Sequence, residues 1–70
     1  MNGSDVTWSP ADVDLEILGL LAAGQTVDGA ARRVGLSGRT VRRRLRALAD
    51  DLGVDSTMET VVHAVRNGLI

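Results

Sequence analysis

Only three residues, Gly35-Leu36-Ser37, separate two stretches whose apolar positions recur at helical spacing. This shortage of connecting chain restricts the fold more than any other feature of the sequence. Two helices joined so tightly cannot fold back antiparallel; they cross steeply, with a glycine making the corner. Such a crossing needs a small residue where the helices touch and a buried branched residue on the second helix. Ala31, Gly35 and Val41 fill these roles at offsets 0, 4 and 10, and Val34 and Leu36 add the remaining apolar contacts. The sequence therefore predicts a helix-turn-helix unit.

Two more helical segments flank it. The first is expected over residues 10–23, with Ser9 as cap, Pro10 in the first helical position and Asp12 as the capping-box acid. Trp8 is placed to staple against Val13, and Val13, Ile17, Leu20 and Leu21 form the apolar stripe before Gly24. The second, over 27–34, has Thr26 as cap and Ala30, Ala31 and Val34 as its stripe. Gly29 inside it costs about 1 kcal/mol relative to alanine, so docking has to hold it. The third, over 38–52, starts from Ser37 and carries Val41, Leu45, Leu48 and Leu52 up to Gly53. The fourth, over 56–67, opens on the capping-box pattern Ser56-Thr57-Met58-Glu59. Met58, Val61, Val62, Val65 and Leu69 are its apolar positions; Val62 and Val65 suit either the core or a dimer seam. No strand-like alternation competes. The expected fold is all-α: a compact four-helix bundle over residues 8–70, after a polar, disordered tail at 1–7.

Charge is distributed unevenly along this frame. Residues 1–28 hold five acids and no base, residues 29–49 hold seven arginines and no acid, and residues 50–70 hold four acids against Arg66. A net charge of −1 thus hides a concentrated positive island, which attracts polyanions whatever the whole-chain balance. On a helix turning about 100° per residue, Leu45, Leu48 and Leu52 fall within about 40° of Val41. Arg39, Arg42, Arg43 and Arg46 fall about 100–200° away, on one face opposite the core, whereas Arg44 lies at the edge of the core stripe. Ordinary solvated faces mix signs and form i,i+4 pairs. Here the first acid on the helix is Asp50, positioned for an exposed pair with Arg46.

Composition removes other classes of function. There is no cysteine and one histidine, so neither a disulfide framework nor a thiolate or histidine metal site is expected, and no cofactor is implied. His63 has no partners for catalysis, no glycine-rich phosphate loop is present, and the chain is too short to enclose a substrate pocket; an enzyme is not expected. The longest apolar run, Leu20–Ala23, is far short of the roughly 20 residues that span a bilayer.

The stretches Ile17–Gly24, Ala31-Arg32-Arg33-Val34-Gly35-Leu36-Ser37, Arg39-Thr40-Val41-Arg42, Leu52-Gly53-Val54 and Gly68-Leu69-Ile70, together with Glu59, resemble the LuxR/GerE-type DNA-binding domain of bacterial transcription regulators. The resemblance covers roughly residues 9–70. It implies a third helix that reads the major groove and a fourth helix that often pairs two protomers on a two-fold DNA site. Carried over by position, Arg42, Arg43 and Arg46 would contact bases, and Ser37, Arg39, Thr40 and Arg33 phosphates. Val62, His63 and Arg66 would approach the dimer axis. The family's usual Arg-Glu pair in the first helix is Val13-Asp14 here, which removes a common internal ion pair; a frequent histidine on the third helix is Arg44. The expected function is sequence-specific binding of double-stranded DNA in bacterial transcription regulation, in the cytoplasm, as a homodimer. The competing reading is a protein- or RNA-interaction module that sets the basic helix against an acidic partner. The near absence of aromatics weighs against single-stranded RNA.

Overall fold

The computed structural model describes residues 8–70; the expected tail at 1–7 lies outside them. Four helices follow in order: α1 (Asp12–Ala22), α2 (Val27–Val34), α3 (Gly38–Leu52) and α4 (Thr57–Arg66). Helices α1 and α3 each pack on all three others, while α2 and α4 do not meet. Among the described residues there are no strands, as expected of an all-α chain. The core is aliphatic, built from Ile17, Leu18, Ala31, Val41, Leu45, Leu48, Val61 and Ala64.

The predicted corner forms with the expected residues. Gly35, immediately after α2, has φ 76° and ψ 27°, a left-handed conformation open to glycine at little cost. The Leu36 amide donates to the Ala31 carbonyl at 3.0 Å and the Gly35 amide to Arg32 at 3.3 Å, which closes the helix end as a Schellman motif. Ala31 and Val41 are both buried at the α2–α3 contact. Ser37 then caps α3, its Oγ accepting from the Thr40 amide at 3.0 Å. No heavy atom lies within 4 Å of the position a Cβ would take at residue 35. Gly35→Ala should therefore cost only the left-handed backbone penalty, about 1–2 kcal/mol, read as a lower denaturation midpoint.

Helix α1 starts two residues later than the Ser9-Pro10 pattern predicts. The reason is Asp14, not Asp12: its Oδ2 accepts from the Ala11 amide at 3.2 Å and sets the first turn there. Ala11 itself is extended, so Ser9 and Pro10 run into the helix from outside. Trp8 and Val13 each pack against the core, and Trp8 meets His63 of α4 edge-to-face with ring centroids 5.1 Å apart. On α1 itself, Ile17 and Leu18 take the deepest positions, while Val13, Leu20 and Leu21 are half-buried.

Helix α4 departs most from expectation. Ser56 caps it as predicted, accepting from the Glu59 amide at 3.1 Å, but Glu59 reaches back to the Asp55 amide instead of that of Ser56. Its buried side is Thr60, Val61 and Ala64. Thr60 is accommodated because its hydroxyl donates to the Ser56 carbonyl at 3.0 Å. Small residues let α4 lie close to α1 and α3, and the bulky Met58, Val62 and Val65 consequently point outward with Leu69.

Candidate nucleic-acid interface

The first turns of α3 follow directly from the corner, and the capping residues fix their chemistry. Ser37 Oγ accepts from the Thr40 amide and donates to Thr40 Oγ1 at 3.0 Å, leaving the Thr40 hydroxyl proton free for an outside acceptor. A helix N-terminus carries a partial positive charge, so an anion approaching Ser37 and Thr40 is favoured. Beyond them Arg39, Arg42, Arg43 and Arg46 are all exposed, while Val41, Leu45 and Leu48 face the core. Arg32 and Arg33 on α2 are exposed as well. Among the described residues, Arg32, Arg33, Arg39, Arg43 and Arg46 form no ion pair with a carboxylate. The expected Arg46–Asp50 pair is not made. Uncompensated guanidinium groups on one helical face repel each other and are relieved by a bound polyanion.

Two arginines are held by the protein itself. Arg44, at the rim of the core stripe, donates from Nε to Asp14 Oδ1 at 2.7 Å. Asp14 is 7% exposed, so this pair ties α3 to α1 across the core's edge. An internal ion pair is thus present after all, made by Asp14 with a residue 30 positions away. The signal available in the sequence was Arg44's own position: an arginine flanking an apolar stripe needs a carboxylate to reach. Asp14 both starts α1 and neutralises Arg44, and loses both contacts when truncated. Asp14→Ala is expected to destabilise the fold by about 2–3 kcal/mol in urea unfolding, from one charge-assisted bond and one cap.

Arg42 differs from expectation in another way. Its Nη2 lies 3.1 Å from Asp28 Oδ1 in the first turn of α2, with the two side chains 59% and 64% exposed. So exposed a pair adds only tenths of a kcal/mol to stability. Its consequence is where it puts the guanidinium. Of the remaining expected contacts, Val62 and Arg66 are exposed on α4, whereas His63 is half-buried against Trp8. Among the described residues no three potential metal ligands cluster, and no helix is long and apolar enough to cross a membrane.

A short second helix, a glycine corner and a third helix with an outward basic face define a helix-turn-helix domain. Residues 15–56, more than half of the chain, match the family model of the homeodomain-like domain, and the protein belongs to that helix-turn-helix family. Membership supports DNA binding, and domains of this kind are typically not enzymes. It is a broader class than the LuxR/GerE type that the residues resemble. No curated protein and no solved structure shows significant similarity to the chain.

Proposed function

We propose that this protein is a bacterial transcription regulator of the LuxR/GerE type that binds double-stranded DNA sequence-specifically, with α3 in the major groove. The observation that carries this reading is the exposed, internally unpaired set Arg39, Arg43 and Arg46 on the helix after the glycine corner. Arginine bonds guanine O6 and N7 bidentately and also clamps phosphates, so one face of α3 serves both readout and anchoring. Arg42, Arg43 and Arg46 read bases; Ser37, Arg39, Thr40 and Arg33 hold phosphates. Selection of bound sequences from random duplexes tests this. A defined motif, with affinity falling steeply with salt, supports it. Equal recovery of all sequences, or preference for an acidic peptide or hairpin RNA, contradicts it.

Two copies act together in this reading. Met58, Val62 and Val65 recur at coiled-coil spacing and are exposed, Met58 by 69% and Val65 by 51%. With Leu21, Val61 and Arg66 they border a shallow apolar concavity of about 610 Å³. Contiguous exposed apolar surface of this kind marks an interaction site. Val62 and Arg66 lie on the pairing face, and His63 stands at its edge. Half-sites would lie about one helical turn apart. In sedimentation on a two-fold site the wild type should form a 2:1 protein–duplex complex, and Val62→Asp should form only a 1:1 complex. A strict 1:1 wild-type complex would rule the dimer out.

A further inference from the structure

We infer that Asp28 is a specificity-determining positioning residue: it fixes the Arg42 guanidinium at the start of α3, in a niche that only glycine at position 38 leaves open. The inference rests on the proposed DNA reading and assigns a role within it to a residue outside the recognition helix. Asp28 and Arg42 are 14 residues apart, and their contact bridges the two helices of the motif. A Cβ at residue 38 would come within 2.7 Å of Asp28 Oδ1 and 2.8 Å of Arg42 Nη1. Both atoms are ends of flexible side chains, so an alanine would displace the pair and leave the helix intact. The contact and the bare Cα beside it concern the same two side chains, and together they define the placement of one guanidinium.

The physical effect on recognition is twofold. A flexible arginine satisfies any nearby acceptor, whether a phosphate or any of several base edges. One whose Nη2 is already committed to a carboxylate has fewer orientations left and reads one base edge with less entropy to lose. Asp28 also sets a negative charge at the rim of a face meant for phosphates, which lowers affinity for every sequence alike. Only the first effect raises the ratio of specific to non-specific binding; the second shifts every affinity by the same factor and cancels in that ratio. Arg43 and Arg46 have no such carboxylate among the described residues, so the effect should fall on one base pair.

The test compares the wild type, Asp28→Asn, Gly38→Ala, Arg42→Ala and the Asp28→Asn/Arg42→Ala double variant, by selection from random duplexes followed by titration of chosen sites. The base pair whose preference Arg42→Ala erases is the one Arg42 reads. At that pair Asp28→Asn should lose about two- to threefold of the discrimination, a loss on the scale of one exposed ion pair. It should also bind unrelated duplex several-fold more tightly. Gly38→Ala should lose similar discrimination with no gain on unrelated duplex, because its charges are unchanged, and should melt no lower than wild type. In the Arg42→Ala background, Asp28→Asn should not alter discrimination further. If Asp28→Asn tightens binding to all duplexes by one common factor, or Gly38→Ala leaves the preference intact, Asp28 is only a surface charge. If wild type binds no duplex, the DNA reading itself fails and this role falls with it.

Discussion

Replacing Arg39, Arg43 and Arg46 together with glutamine should remove DNA binding while leaving the protein folded. All three side chains are exposed and none is paired with a carboxylate among the described residues, so no ion pair is lost. Glutamine is nearly as good a helix former as arginine, and removing like charges from one face relieves repulsion on α3. The melting temperature should stay level or rise. Each bidentate base contact contributes about 1–3 kcal/mol, so losing those of Arg43 and Arg46, with the Arg39 phosphate contact besides, should weaken binding by about 2 kcal/mol or more, at least about thirtyfold. The logarithmic salt dependence should also flatten, by roughly 0.9 for each lost phosphate contact. Fluorescence anisotropy at about 50 and 200 mM salt, beside a circular-dichroism melt, reads both effects. A folded variant with unchanged affinity would remove α3 from the interface.

The second large effect belongs to the core. Ile17 is fully buried where α1 meets the other helices, and Ile17→Ala should cost about 2–5 kcal/mol, depending on how far its neighbours collapse. A domain of this size has a total stability of roughly 4–10 kcal/mol, so a large part of the population should be unfolded at moderate temperature. Val62→Ala serves as the contrast. That side chain is apolar but exposed, and its truncation should change stability by less than about 0.5 kcal/mol. Urea midpoints at constant slope separate the two. Equal effects would mean that α4 faces the other way.

The parts of this fold legible in the sequence are those set by neighbours in the chain. Thr26, Ser37 and Ser56 cap the helices they precede, because a cap is a contact across three residues. The glycine corner and the two sides of α3 follow equally from local spacing. The orientation of α4 was less accessible. Periodicity groups Met58, Val62 and Val65 on one stripe but does not say whether a neighbour covers it; Thr60 and Ala64 take the inner side because they permit close approach. The start of α1 was misplaced because Ser9-Pro10 is a good local pattern, outweighed by Asp14, which bonds Ala11 locally and Arg44 at long range. At the interface, the exposure of Arg39, Arg43 and Arg46 was readable from the helical wheel. The hold of Asp28 on Arg42 was not, since it depends on how α2 lies across α3 and on the space beside Gly38.

The most direct measurement is titration of isotope-labelled protein with duplex DNA carrying the selected motif, following each backbone amide and arginine side chain by NMR. The largest changes should fall on residues 37–46 and on the side chains of Arg39, Arg42, Arg43 and Arg46, with smaller ones at Arg33. Changes centred on Leu21, Met58 and Val65, with α3 unaffected, would contradict recognition through the basic helix.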